Sequence, residues 1–267
     1  MNRTELLPDR PGIPPMAPMP EEETIDPGAL ARAYASGEID MVCVLGPTAS
    51  GKTRFAVQLA REMGGEILSA DSRQVYKGMD IGTGKDLGEY GEVPYHLIDI
   101  VPAGTKFNIY EYQAAFAEAF ADVRSRGRIP ILCGGSGLYI EAATRGYKFD
   151  KGNGLPSERL PRSVYYIGTL VSREERVARI DRRLEERLQE GLVEEIRTLL
   201  KTVPAQDLIY YGLEYKFVTQ YVLGEIPYED MVIGLGNAIH QFAKRQMTWF
   251  RGMERDGIKI HWTRFPR

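Results

Sequence analysis

The chain has 267 residues, 43% of them hydrophobic and 27% charged, and 34 Lys+Arg against 37 Asp+Glu leave a formal charge of −3. This composition suits one large domain or two small ones and excludes collagen-like, fibrous and wholly disordered classes. A balance so near neutrality advertises no polyanionic partner through a global field, so any such partner has to be held locally.

Residues 1–40 carry seven of the sixteen prolines and three arginines against eight acids. Proline donates to neither helix nor ladder, so this stretch is expected as a loose, disordered acidic leader, extended over Pro8–Pro20, with at most a short helix near Ala29–Ala35. From Met41 onward short apolar runs alternate with longer amphipathic ones, the pattern of a parallel sheet with crossover helices. Strands are expected at Met41–Leu45, Glu66–Ala70, His96–Ile100, Ile129–Cys133 and Val164–Leu170. Phe55, Leu59 and Met63 mark one crossover helix, and Tyr112, Phe116, Phe120 and Val123 another. Turn formers dominate Tyr147–Ser163, which is expected as a surface loop.

The expected fold class is α/β, a P-loop NTPase-like three-layer parallel sheet with helices on both faces. Extra C-terminal helices pack beside it, in one domain over 41–267. Cys43 and Cys133 lie inside apolar runs, form no disulfide framework and suit a reducing cytosol. His96, His240 and His261 are in no metal-ligand spacing. No run approaches the ~20 apolar residues of a membrane span, and the first residues do not read as a signal peptide. A cytoplasmic, membrane-free monomer is expected.

The strongest motif is GPTASGKT, Gly46 to Thr53, between an apolar strand and an amphipathic helix. In GxxxxGK[ST], glycines let the backbone curl so that amide hydrogens converge on phosphate at a helix N-terminus. Lys52 supplies a cation and Thr53 a hydroxyl for Mg²⁺. The diphosphate cradle is therefore expected from Gly46, Thr48, Ala49, Ser50, Gly51, Lys52 and Thr53. Such a cradle serves nucleotide (ATP) binding or stabilises any group that leaves as diphosphate. Ile129–Cys133 runs into glycines instead of a Walker-B acid, and Asp99 is the other contender, so a motor ATPase is disfavoured while a P-loop small-molecule kinase stays open.

The second strand ends at Asp71-Ser72-Arg73-Gln74, on the side where open α/β sheets bind ligands. Asp71 is suited to take a proton from a nucleophile held against the cradle; equally, it is suited to cap a turn and pair with Arg73. Further on, Ser172-Arg173-Glu174-Glu175 reads as a capping box. The helix it opens carries Arg176, Arg179 and Arg183 beside an apolar face, either awaiting an anion or solvated and paired with Glu175 and Glu186. Residues 237–267 hold seven Lys/Arg against two acids. Within them AKRQMTWFR mixes cations with Trp249 and Phe250, which suits single-stranded nucleic acid, although helical spacing equally makes Ala243, Met247 and Phe250 core. Lys244, Arg245 and Gln246 are the better contact candidates.

Taken in order from Val42 to Trp262, GPTASGKT, GEILSADSRQVYKGMDIGTGK, HLIDI, GRIPILCGGSGLYI and AKRQMTWFR resemble the tRNA dimethylallyltransferases, also called tRNA isopentenyltransferases. The resemblance implies a P-loop that holds dimethylallyl diphosphate and a prenyl group passed to the exocyclic amine of the adenosine 3′ of the anticodon. It implies Mg²⁺ as cofactor, Asp71 as base, and Ser72, Arg73 and Gln74 near the tRNA. Ser136 stands where the family has threonine and keeps a hydroxyl near the amine. Arg179 and Arg183 approach the diphosphate, with Arg183 counted among the catalytic groups beside Asp71, Lys52 and Ser136.

The family's helical insertion is reduced here to the interval Tyr147–Ser163, GYKE appears as GLEYK, and TRQYAKRQ as IHQFAKRQ. These departures fall on the nucleic-acid side, which leaves a free adenine nucleotide open as the acceptor in place of tRNA.

Overall fold

Met41–Leu45 (β1) is buried along its length, and its side chains alternate: Met41, Cys43 and Leu45 join one apolar cluster, Val42 and Val44 another. A strand apolar on both faces needs cover on both, as at the centre of a parallel sheet flanked by helices. A computed structural model, which describes residues 20–146 and 159–264, places β1 there.

The other strands are β2 (Gly65–Ser69), β3 (Tyr76–Lys77), β4 (Tyr95–His96), β5 (Val101–Pro102), β6 (Ile129–Gly134), β7 (Val164–Thr169) and β8 (Ile260–Thr263). The main sheet runs β4-β2-β6-β1-β7-β8, parallel throughout. The chain leaves β1 for β2, returns to fill the gap with β6, and then crosses to β7 on the other side of β1. Open α/β sheets bind ligands at the carboxyl ends of strands beside such a switch point.

The helices are α1 (Pro27–Ala35), α2 (Lys52–Met63), α3 (Ile109–Ser125), α4 (Gly137–Thr144), α5 (Arg173–Glu190), α6 (Leu192–Leu199), α7 (Ala205–Tyr211), α8 (Leu213–Val222) and α9 (Tyr228–Arg255). Leu30 of α1 and Ala56, Val57, Leu59 and Ala60 of α2 cover the face of Val42 and Val44. On the opposite face lie Tyr112, Phe116 and Phe120 of α3, with Ile180, Tyr215, Ile239 and Phe250 from the C-terminal helices. Two apolar faces covered by helices make the expected three layers. No helix of the described residues is long and apolar enough to cross a membrane.

Three expectations are corrected. First, residues 20–40 pack on the body, and the short helix expected near Ala29–Ala35 is present as α1. Asp26 caps α1, its Oδ1 accepting from Ala29 N at 3.1 Å, and Leu30 is buried, while residues 1–19 lie outside the described residues. Glu23 N donates to Trp262 O at 2.7 Å, and Glu23 Oε2 meets His261 Nδ1 at 2.7 Å, so this segment lies along β8.

Second, His96–Ile100 is not one strand. Only Tyr95–His96 pairs with β2, because Leu97 and Asp99 have φ of 66° and 56° and turn the chain toward the small β3-β5 sheet. Buried Lys85 holds the turn: its Nζ pairs with Asp99 and donates to Asp80 Oδ1 and Tyr76 O, both at 2.7 Å. Third, β8 was not expected; it forms the edge of the sheet, with Ile260 and Trp262 buried. Most of the Tyr147–Ser163 interval, 147–158, lies outside the described residues.

Candidate active site

The loop leaving β1 is shaped by its lack of side chains. A Cβ at Gly46 would stand 2.1 Å from Thr169 Oγ1 and 2.6 Å from Ser50 Oγ, two hydroxyls that themselves share a 2.6 Å hydrogen bond. Ala49 and Gly51 take left-handed φ of 64° and 84°, curling the chain into the start of α2. In the first turn of α2 the amides of Lys52 and Thr53 have no intrahelical acceptor, which leaves them available to an anion. Two expected cradle amides are already engaged: Thr48 N donates to Gln246 Oε1 at 2.8 Å and Ser50 N to Pro47 O at 3.2 Å. Burial pulls Lys52 below its ordinary pKa of 10.5; Arg183 and Arg187 act in the same direction, and the carboxylate of Asp71 opposes them.

Asp71 follows β2 in a turn that closes when Arg73 N donates to Asp71 Oδ1 at 3.0 Å. The turn is tied to the end of β6. Ser136 Oγ accepts from Ser72 N at 3.0 Å and lies 3.2 Å from Ser72 Oγ, while Ser136 N donates to Ala70 O at 3.2 Å. The Arg73 guanidinium pairs with buried Glu214 and sits 5.7 Å over the Phe242 ring. Gln74 is buried; it accepts from Ser69 Oγ at 3.1 Å and donates to Gly84 O at 3.2 Å.

The arginine row of α5 faces the loop. Ser172 Oγ caps the helix by accepting from Glu175 N at 3.1 Å. Arg179 donates to Ala49 O at 3.3 Å and to Glu175 at 2.6 Å, and Arg183 pairs with Asp86. One turn further, Arg187 is buried and donates to Glu214 Oε1 at 3.0 Å. Burial, reinforced by Arg183, lowers its pKa. Burial pushes the Glu214 carboxyl up, but Arg73 and Arg187 more than reverse this and hold it below the ordinary carboxylate value.

These groups meet in two adjoining spaces. An open cleft of about 760 Å³ lies between the start of α2 and α5, lined by Gly51, Lys52, Thr53, Arg179 and Arg183. Lys52, Thr53, Arg183 and Arg187 also line a narrow polar pocket of about 40 Å³, where they meet Thr48, Asp71, Arg73 and Glu214. Lys52 of the P-loop and the Asp71 carboxylate thus line one pocket, with Arg73, Arg183 and Arg187 around them. Among the described residues no three His, Cys, Asp or Glu side chains could hold a metal together. Thr53, the hydroxyl expected to meet Mg²⁺, lines both spaces.

Not every residue expected at the nucleic-acid side lies there. Gln246 is buried and spans the site from beneath, accepting from Thr48 N and donating to Gly135 O at 2.9 Å. With both ends of its amide occupied, it braces the loop, and buried Gln74 braces the turn in the same way. Lys244 and Arg245 are exposed, Ala243 and Phe250 are core, and Trp249 is 41% exposed beside Gly137, where a Cβ would lie 2.3 Å from the indole.

Sequence reading missed Arg187, Glu214 and Glu195. Arg187 continues the i, i+4 row of Arg179 and Arg183, a signal that was present. Glu195 accepts from the amides of Asp80, Ile81 and Gly82 at 2.9, 2.6 and 3.1 Å and from Tyr215 OH at 2.8 Å, which no local pattern foretells.

Two family profiles match. The one described as IPP transferase covers residues 74–162 and 151–253, and the one described as isopentenyl transferase covers 39–91. The tRNA dimethylallyltransferase 1 of Parabacteroides distasonis is 46% identical over 281 positions, taking in 84% of this chain and 92% of the relative. The chain belongs to the tRNA dimethylallyltransferase family.

Another member of the family, tRNA dimethylallyltransferase 1 of Porphyromonas gingivalis, is 46% identical over 280 positions, with 83% and 93% of the two chains covered. The solved tRNA delta(2)-isopentenylpyrophosphate transferase of Staphylococcus epidermidis superposes with a TM-score of 0.72 at 28% identity, over 84% of this chain and 92% of that one. The fold is accordingly the P-loop NTPase-like one expected. An alignment of 281 positions that takes in only 84% of a 267-residue chain leaves several tens of the relative's residues without a counterpart. The IPP transferase profile breaks into stretches that meet at 151–162. For a dimethylallyltransferase this chain is compact, and the two stretches of the profile overlap within the interval expected to be shortened.

Proposed function

We propose that this chain transfers a dimethylallyl group from dimethylallyl diphosphate to the exocyclic amine of an adenosine beside the anticodon of tRNA. The observation that carries this reading is the meeting of Lys52 and Asp71 in one polar pocket that adjoins the arginine-lined cleft.

The loop amides of Lys52 and Thr53, the Lys52 ammonium, Arg179 and Arg183 neutralise the diphosphate. Mg²⁺ held through Thr53 supplies further charge to the leaving oxygens when bound. The allylic C–O bond breaks with its electron pair going to diphosphate, and the amine nitrogen bonds to the freed carbon. That nitrogen becomes acidic as the bond forms, and Asp71 accepts its proton. Ser136, whose hydroxyl is tied to the Asp71 turn through Ser72, exchanges that bond for one near the amine on this reading. Lys244 and Arg245, exposed on α9, meet RNA phosphates, with Arg73 and Ser72 at the mouth of the pocket. The protein works as a cytoplasmic monomer.

Incubation with labelled dimethylallyl diphosphate and an anticodon stem-loop tests the reading, with AMP as the competing acceptor. Label in the RNA supports it. Label in AMP alone moves the acceptor to a free nucleotide, an outcome to which the shortened interval lends weight. No label in either sinks the assignment of transfer.

A further inference from the structure

Glu214 is 2% exposed and lies in the first turn of α8. Its carboxylate bridges guanidiniums from opposite walls of the site, Oε2 accepting from Arg73 Nη1 and Oε1 from Arg187 Nη1. The backbone that delivers it is strained. Gly212 has φ of 73°, and Leu213, which carries a Cβ, is held at 44°. A left-handed side-chain-bearing residue persists only where its surroundings over-determine it. Here it immediately precedes a buried carboxylate with two cationic partners.

Arg73 lies two residues after Asp71 in one closed turn, and a guanidinium so placed has ready access to that carboxylate. Yet Asp71 forms no ion pair among the described residues: Arg73 pairs with Glu214 and feels the Asp71 charge only at longer range. The other oxygen of Glu214 is anchored by Arg187. That arginine is itself wedged against Gly84, where a Cβ would stand 1.8 Å from Arg187 Nη2. The charged groups sharing the pocket with Asp71 are Lys52, Arg73, Arg183, Arg187 and Glu214.

We propose that Glu214 is a positioning residue that parks Arg73 away from Asp71 and so keeps the Asp71 carboxylate unpaired. Its catalytic consequence rests on the reading of Asp71 as the base given above, because a carboxylate paired with a guanidinium is a weaker proton acceptor. Deprived of the Glu214 charge, Arg73 turns to the carboxylate of its own turn.

Two measurements test this. In a crystal structure of Glu214→Gln, Arg73 is expected within about 4 Å of the Asp71 carboxylate, the span of an ion pair. At saturating tRNA, kcat of Glu214→Gln is expected to fall about tenfold or more, within the range that a general base contributes. The dissociation constant for dimethylallyl diphosphate, measured by calorimetry, stays within about threefold on the same account. The double variant with Arg73→Gln is then expected to match the kcat of Arg73→Gln alone, whereas a merely structural role adds the Glu214→Gln loss to it.

An Arg73 that keeps its place in the variant crystals, or a double variant markedly slower than Arg73→Gln alone, overturns the proposal. If Glu214→Gln does not fold, Arg73→Gln is compared with the double variant. Equal kcat supports action through Arg73, and a further tenfold loss contradicts it. A wild-type protein that prenylates no RNA refutes the reading of Asp71, while the position of Arg73 in the crystals still decides what Glu214 holds.

Discussion

Gln246 accepts a 2.8 Å hydrogen bond from the backbone amide of Thr48, a residue 198 positions earlier in the chain. Its amide nitrogen reaches Gly135 O at 2.9 Å, so one side chain on α9 joins the loop after β1 to the turn after β6. A phosphate cradle is a backbone shape, and this shape is held from outside its own motif.

Gln246→Leu keeps the volume and removes both bonds, leaving a buried donor and a buried acceptor unsatisfied. The expected loss of stability is about 1–3 kcal/mol, read by urea unfolding. A higher KM for dimethylallyl diphosphate should accompany it. Unchanged values of both would mean that the loop keeps its form without this brace.

Lys52→Met should weaken diphosphate binding by tenfold or more, since a charge-assisted contact in a partly dry site is among the stronger polar interactions. Burial lowers the lysine's pKa, so the ammonium is lost as pH rises through a value below 10.5. Affinity in the wild type should therefore decline on the alkaline side before an ordinary lysine titrates, and the Met variant should lack that limb. Calorimetry across pH reads both effects.

Asp71→Asn preserves shape and removes the proton acceptor. Its kcat is expected to drop by about 10²–10⁴, the usual contribution of a positioned base, with diphosphate affinity little altered. A single-turnover assay with anticodon stem-loop RNA separates the two, and undiminished transfer would remove Asp71 from the chemistry.

Buried Glu66, on β2, offers a pH test of stability remote from the site. Burial raises its pKa, but hydrogen bonds from Arg126 and His96, the latter at 2.7 Å, outweigh this and leave it below the ordinary 4.5. A carboxyl with a depressed folded value stabilises the fold above its unfolded value and loses that contribution as pH falls through the folded one. The wild type's melting temperature should therefore fall as pH drops below 4.5, and Glu66→Gln should melt lower at neutral pH with a flatter acid limb. Parallel curves for the two proteins would contradict the pairing.

What was legible in the sequence was local. The apolar alternation of Met41–Leu45, the GPTASGKT turn and the carboxylate ending β2 each declare themselves within a few neighbouring residues. Glu214 and Gln246 do not, because their partners lie far away in the chain: Arg73 for the first, Thr48 and Gly135 for the second. Local pattern also misled at His96–Ile100, where a run suited to a strand is bent by the buried Lys85 ammonium drawing in Asp99. Strand β8 escaped notice because its four residues follow a long helix and find their partner in β7, nearly a hundred residues earlier.

The contact between Glu23 and Trp262 has a consequence for solubility. A parallel sheet ends in an outer strand whose amides and carbonyls invite another chain to add on, and such borders seed aggregation unless something covers them. Here residues preceding α1 lie along that border, Glu23 occupying the Trp262 carbonyl and clasping the neighbouring imidazole. Removing residues 1–24, which spares α1, should leave the catalytic pocket intact and yet give a protein that self-associates on storage.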